Sequence, residues 1–228
     1  MSNTQDPTKQ QISRIMTPRK AVQFLLLGLL WLVCSITVIL AGAATSSVFY
    51  VGIKILNDDA DIKVARLFFK GIKQNFIQGL LMSLISAVTL GGSGALITWA
   101  IISGQNLFLI LIAAGCAFVF LIFNTFAYPI IGRYENTFAN ILRNALALIF
   151  TYMSDSIRLT LFLIFEIAID VVLFRLNLIA GFASLLFWPT VIFYTISYHL
   201  AVIFYKVEHP KKYDDEETPA PDEQSTKN

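Results

Sequence analysis

The chain has 228 residues, of which 56% are hydrophobic and 14% are charged, and its formal net charge is +2. An ordinary soluble domain carries about 25% charged residues, so this composition excludes that class and favours a membrane protein. The length suits one compact bundle of five or six helices rather than two domains.

The first uncharged run covers residues 21–53 and follows a polar, basic N-terminal segment at 1–20. A membrane span needs about 20 apolar residues, so this run is too long for one span and slightly short for two. We expect a full helix at 21–40, a break at the small residues 42–47, and a shorter helix that ends near Leu56. The shorter helix is either a return span or a re-entrant segment, which needs cover by protein or water.

Residues 61–79 show a helical period in both their apolar and their basic residues. The apolar positions are Ile62, Ala65, Phe69, Ile72, Phe76 and Leu80. The basic positions have the same spacing on another face and are Lys63, Arg66, Lys70 and Lys73. Such an amphipathic helix suits the membrane interface, where it either anchors on anionic lipid or provides a docking surface for a partner protein.

The longest uncharged stretch contains 59 residues, from 74 to 132. It suits two spans, at 80–102 and 107–127, joined by a tight turn at 103–106. The first of these spans carries a stripe of small residues, which favours close helix packing and has a broken helix at a ligand site as its alternative: Ala87, Gly91 and Ala95.

Two further spans are expected at 157–174 and 178–204, after an amphipathic stretch at 134–152. The tail at 207–228 is acidic and poor in hydrophobic residues, so we expect it to be disordered. Residues 21–206 then form a single transmembrane helical domain. The predicted fold is all-α, a polytopic transmembrane helix bundle with five strong spans, one short or re-entrant helix and one amphipathic interfacial helix.

The distribution of basic residues predicts the orientation, because those near the ends of spans tend to stay in the cytoplasm. If residues 21–56 cross twice, 16 of the 17 basic residues lie inside; if they cross once, 12 do. The larger count favours two cytoplasmic termini. The cytoplasmic turn after residue 127 contains Arg133 and Glu135, which are close enough for a local ion pair.

Glu166 and Asp170 lie four residues apart on one face of an otherwise apolar helix. Ionisable residues at membrane depth are costly and are functional candidates by default. Two carboxylates have the chemistry to bind a cation or to relay a proton. The alternative is a structural role in which they pair with Arg158 or Arg175, or lie close enough to the outer interface to reach water.

No motif in the sequence indicates catalysis. There is no zinc-protease helix motif, no phosphate-binding loop and no dinucleotide glycine motif, so we expect no enzyme activity, no cofactor and no metal. Cys34 and Cys116 lie in apolar runs without metal-ligand spacing, and we expect both to be small core residues. The basic stripe lies close to the membrane, which argues against nucleic-acid binding.

Five short segments together resemble the YesL-like family of bacterial integral membrane proteins. They are WLVCSITV at 31–38, GAAT at 42–45, FFKGIKQNF at 68–76, YP at 128–129 and RYENT at 133–137. The resemblance extends from about residue 24 to residue 205. It implies a small protein of the bacterial cell membrane without established catalytic residues, often encoded beside carbohydrate-uptake and carbohydrate-degradation systems.

This resemblance implies an accessory component of a carbohydrate (oligosaccharide) ABC importer, with the importer permease subunits and membrane lipid as partners. The candidate docking residues are Lys63, Arg66, Phe69, Lys70, Lys73 and Phe76. A second hypothesis is an independent small transporter or channel that uses Glu166 and Asp170. A third is an intramembrane enzyme, for which the sequence has no recognisable nucleophile–base or metal set.

Overall fold

The structure is a computed structural model that describes residues 17–57, 62–104 and 106–208. These residues form helices and no strand, as the sequence predicts. The helices are α1 (Pro18–Ser35), α2 (Val38–Leu56), α3 (Val64–Gln74), α4 (Phe76–Ile102), α5 (Leu107–Arg133), α6 (Phe138–Thr151), α7 (Met153–Leu176) and α8 (Leu178–Glu208).

Within the described residues, five helices are long and apolar enough to cross a membrane, namely α1, α2, α4, α5 and α8. The chain is therefore an all-helical bundle of the multi-pass membrane class. One predicted span changes place. The segment expected at 157–174 lies in α7, which is 24 residues long but carries too many charged side chains to count as a candidate membrane span. α2 is the fifth candidate span instead.

The first two helices meet at a different point from the predicted break. Residues 42–47 continue α2 without interruption, and the chain turns between Ser35 and Val38 instead. At that turn the Thr37 hydroxyl donates a hydrogen bond to the Cys34 carbonyl oxygen at 2.7 Å. Of the two alternatives for the second helix, a return span or a re-entrant segment, the structure favours the return span, because α2 has 19 residues and is long and apolar enough to cross a membrane.

The small residues of α2 permit close contact with its neighbours rather than breaking the helix. A Cβ built at Gly79 of α4 would lie 2.5 Å from the Ala43 backbone nitrogen. A Cβ at Gly132 of α5 would collide with the Ser46 carbonyl oxygen. Two neighbouring helices therefore approach the α2 backbone through glycines, which is the packing that small residues allow in membrane bundles.

α2 is the centre of the bundle and packs against α1, α3, α4, α5 and α8. The Trp31 indole of α1 donates to the Thr45 hydroxyl oxygen at 3.0 Å. The ring of Phe193 on α8 lies 5.1 Å from Trp31 and 5.8 Å from Phe49, with edge-to-face geometry in both pairs. These aromatic contacts join the first two helices to the last one.

α4 and α5 form an antiparallel hairpin whose most apolar stretches are less buried than those of the other three candidate spans. The Ser86 hydroxyl lies 2.8 Å from the Asn124 Oδ1, and one π-helical turn (Ala87–Gly91) follows directly. The small-residue stripe begins in that turn and is exposed at all three positions, and a Cβ added at Gly91 would meet no atom within 4 Å. The close packing predicted for this stripe is therefore not made inside the described chain.

The helical domain is slightly longer than predicted at both ends. α1 begins at Pro18, where the Thr17 hydroxyl accepts a hydrogen bond from the Lys20 backbone nitrogen. α8 continues through Val207 and Glu208, which the sequence assigned to the tail. The rest of the predicted N-terminal segment, residues 1–16, and the predicted disordered acidic tail at 209–228 lie outside the described residues.

Candidate functional site

α3 packs one face against the bundle and leaves another face open. Its buried residues recur at helical spacing and are Val64, Phe68, Gly71 and Ile72. Glycine suits position 71 because a Cβ there would lie 2.8 Å from the Ser47 hydroxyl oxygen of α2. The contact between Gly71 and Ser47 therefore fixes which side of α3 turns away from the protein.

The open side carries all four predicted basic residues, which we call the basic face: Lys63, Arg66, Lys70 and Lys73. Phe69 lies at the edge of this face and is 53% exposed. Its ring contacts the buried ring of Phe68 edge-to-face, at 5.6 Å between centroids. An exposed aromatic ring beside four cations suits an anionic lipid surface or an acidic partner.

The apolar side of this helix is rotated from the prediction. Of the six predicted apolar positions only Ile72 is buried, and Phe68 rather than Phe69 enters the core. The reason is the position of α2, which contacts α3 on the side of Gly71. The predicted helix at 61–79 also divides at Asn75, so Phe76 begins α4 and is half-buried there.

A second polar group joins the ends of α5 and α8, and we call it the terminal clamp: Arg133, Tyr134 and Glu208. Arg133 Nε and Nη2 donate to Glu208 Oε1 at 3.1 and 2.9 Å, and Nη2 also lies 2.9 Å from Oε2. The Tyr134 hydroxyl donates to Oε1 at 2.7 Å. Burial of the phenol, together with its bond to Glu208, raises the pKa of Tyr134 to about 12.

The terminal clamp replaces the ion pair expected between Arg133 and Glu135. Glu135 is exposed, and Arg133 pairs with Glu208 instead, 75 residues away in the sequence. The Arg133 guanidinium also lies 5.3 Å from the centre of the Phe204 ring, which adds a cation–π contact. Sequence spacing gave no signal for this pair, because it depends on how α5 and α8 end beside each other.

Two cavities border the terminal clamp. One of about 390 Å³ lies between the clamp and the end of α2, where Lys54 stands 5.0 Å above the Tyr50 ring. The other, of about 600 Å³, extends along α6 past Asn144 and Leu148. In the described ranges no three His, Cys, Asp or Glu side chains come together in a way that would hold a metal ion.

A third cavity lies on the α4–α5 hairpin and is bordered by one of the two cysteines. An open groove of about 550 Å³ runs between α4 and α5 and is lined by Ser93 and Cys116, among others. Cys34 is buried, as predicted, but Cys116 is exposed. The expectation that Cys116 is a core residue is wrong, because its side chain borders the open groove between α4 and α5.

The two candidate carboxylates lie on the side of α7 that faces the interior of the bundle. The buried residues of α7 are Ser156, Leu159, Thr160 and Glu166, and Asp170 continues the same stripe one turn further on. Glu166 is only 4% exposed. Glu166 Oε2 and Asp170 Oδ1 are both buried without a hydrogen-bond partner.

The ion pairs expected for these carboxylates are not those that the structure shows. Arg158 contacts Asp155 at 3.3 Å and the Ser154 hydroxyl at 3.2 Å. Arg175 is exposed at the end of α7, five residues after Asp170 and therefore on a different side of the helix. The structural alternative for the carboxylate pair thus loses Arg158 as its partner.

The comparison with protein families supports part of the resemblance seen in the sequence. The model of a family described as "Protein of unknown function, DUF624" matches residues 24–92. This segment runs from α1 through the π-helical turn of α4 and includes the whole of α3. No curated protein and no solved structure matches the chain.

Proposed function

We propose that the protein is a YesL-like integral membrane accessory component of a bacterial carbohydrate (oligosaccharide) ABC importer and has no catalysis of its own. The family match supports this proposal, because YesL-like proteins carry the matched domain. The sequence segments that resemble the same family extend beyond the matched residues to the end of α5 and the turn that follows it. The importer permease subunits are the proposed partners, and the bacterial cell membrane is the proposed location.

The observation that carries the proposal is the open side of α3. One side of this helix is buried against α2, which turns the basic face and Phe69 outward together. A lipid anchor needs only diffuse positive charge and apolar insertion. A partner protein also contacts particular side chains, and an exposed aromatic ring beside four cations offers it such a contact.

The orientation belongs to the same proposal. With both termini in the cytoplasm, the basic face lies on the cytoplasmic side. The terminal clamp and both cavities beside it belong to the same side by the positive-inside argument, because Lys54 and Arg133 border them. An importer partner would then contact the protein at the cytoplasmic boundary of the membrane.

The test is a pull-down of the full chain from native membranes at matched abundance. We expect wild type to recover permease subunits, and Phe69→Ala and Lys70→Glu to recover several-fold less. Phe182→Ala and Arg143→Glu are matched controls, because Phe182 is 59% exposed and Arg143 is exposed on α6. Equal recovery for all five proteins would remove α3 as the docking site, and no permease with wild type would remove the accessory role.

The second candidate is an independent small transporter or channel, and the buried carboxylates favour it. Ionisable groups that face a bundle interior without partners often line ion or proton pathways. In an uptake assay with the reconstituted protein, the double change Glu166→Gln and Asp170→Asn should then abolish transport while the protein stays folded. Unchanged uptake in this variant would eliminate the candidate.

A further inference from the structure

α7 and α8 are antiparallel neighbours, and their register can be read from two contacts. A Cβ at Gly181 would lie 2.5 Å from Phe174 Cδ1, and the Phe174 and Phe182 rings are 5.5 Å apart. Phe174 is therefore level with Gly181. Counting four residues back along α7 and four forward along α8 brings Asp170 level with Leu185, and eight residues bring Glu166 level with Pro189.

Pro189 changes the backbone chemistry at this level of the bundle. It lies inside α8 and has no N–H group, so the Leu185 carbonyl oxygen loses its helical hydrogen bond. This oxygen lies on the turn of α8 that is level with Asp170. Oxygen atoms from two helices, one carbonyl and two carboxylates, are thus placed at neighbouring levels of the same helix pair.

The carboxylates in this arrangement need compensation. Glu166 is 4% exposed, and its Oε2, like Asp170 Oδ1, is buried without a hydrogen-bond donor. Burying one carboxylate without a partner is costly, and two of them four residues apart repel each other. A bound cation removes both penalties, because it supplies the positive charge and the missing contact at once.

Several charged and titratable groups of the described helices around α7 have contacts away from this pair or are exposed. On α8, His199 interacts electrostatically with Asp155 and Arg158 near the start of α7. On α5, Arg133 belongs to the terminal clamp, and Tyr128 lies 3.4 Å from the Ser86 hydroxyl. On α6, Arg143 is exposed.

We propose that Glu166 and Asp170, together with the Leu185 carbonyl oxygen, bind one small monovalent cation, either a proton or a sodium ion. Carboxylate and carbonyl oxygens suit both, and the proline leaves the Leu185 carbonyl oxygen without its helical hydrogen bond although α8 itself continues through this point. The inference rests on the second candidate function only where it concerns transport. Cation binding itself is measured without an uptake assay. The accessory role neither requires nor excludes it.

The test uses infrared difference spectra of the full chain in lipid nanodiscs. One arm exchanges sodium for choline at fixed pH, and the other changes the pH in choline alone. A carboxylate signal that responds to sodium assigns the site to sodium. A carboxylic-acid signal that responds to pH and not to sodium assigns it to a proton. No response of either kind would overturn the proposal.

The assignment to this pair is made by substitution and by isotope. Glu166→Gln and Asp170→Asn should each lose or shift the signal, whereas Asp155→Asn, a carboxylate of the same helix paired with Arg158, should keep it. Carbon-13 glutamate in wild type should shift the signal without any substitution, which covers a variant that fails to fold. A signal retained in Glu166→Gln and unmoved by the label would also overturn the proposal. A confirmed cation signal without uptake would support the cation site and contradict the transporter function.

Discussion

At the scale of single residues, Gly79 sets the distance between α2 and α4. A Cβ at this position would lie 2.5 Å from the Ala43 nitrogen and 2.6 Å from its Cα, so backbone rather than a flexible side chain would have to move. We expect Gly79→Ala to reduce the free energy of unfolding by about 1–3 kcal/mol, the usual cost of overpacking.

The matched control for this change is Gly91→Ala, where a Cβ meets nothing within 4 Å. Alanine is the better helix former, so this variant should unfold at the same temperature as wild type or slightly higher. Thermal unfolding in one detergent compares the three proteins. Equal temperatures for Gly79→Ala and wild type would show that α2 and α4 are further apart than described.

The terminal clamp gives a pH-dependent prediction, also at the residue scale. Tyr134 donates to Glu208 only while protonated, and burial of the phenol raises its pKa from the usual 10.0 to about 12. Its stabilisation is therefore complete below about pH 10 and is lost as the pH rises through 12. Tyr134→Phe should reduce the free energy of unfolding by about 1 kcal/mol at neutral pH.

The difference between wild type and Tyr134→Phe should disappear as the pH approaches 12. Denaturation of both proteins at a series of pH values measures it. A constant difference across the whole range would mean that the phenol does not donate to Glu208, and Tyr128→Phe, whose hydroxyl lies 3.4 Å from Ser86, controls for the loss of a different phenol.

At the scale of helices, α3 shows both the reach of the sequence pattern and its limit. The spacing predicted the amphipathic helix and its four basic residues, because charged side chains are stable only on the side of a helix that faces away from the core. It did not distinguish Phe68 from Phe69, since either ring can complete an apolar stripe of the same period. The contact of Gly71 with Ser47, which the pattern does not contain, decides between them.

The small residues of α2 had the same ambiguity. Glycine, alanine and serine at 42–47 suit a break as well as a close helix contact, and only the positions of Gly79 and Gly132 on other helices show which applies. The spacing of Glu166 and Asp170 predicted that both lie on one face of a helix, and the cost of burying charge indicated that this face turns inward. The spacing could not predict the partner of Arg133, because Glu208 is 75 residues away.

The orientation of the helices provides the third prediction. Single cysteines are introduced after replacing Cys34 and Cys116 with alanine, since Cys116 is exposed. In intact cells a membrane-impermeant reagent should label Ser103→Cys in the turn between α4 and α5, but not Lys70→Cys or Glu135→Cys, because basic segments stay inside. External labelling of Lys70→Cys would reverse the orientation.

At the scale of the whole molecule, the protein has three regions that differ in exposure and charge. The outer part of the α4–α5 hairpin carries exposed apolar side chains, α2 forms the centre of the bundle, and α3 presents the basic face at the proposed cytoplasmic boundary. The functional proposal depends most on Phe69, because its exposed ring lies beside four cations. The proposal places a permease subunit against this ring, and lipid is the alternative.

The most direct test is photo-cross-linking in living cells with a photoreactive phenylalanine at position 69, and with the same group at position 182 as the control. Phe182 is also exposed but lies near the start of α8, away from the basic face. The account predicts a cross-linked product between position 69 and an importer permease subunit, and none from position 182. Products with lipid alone at position 69 would contradict it and make the basic face a membrane anchor.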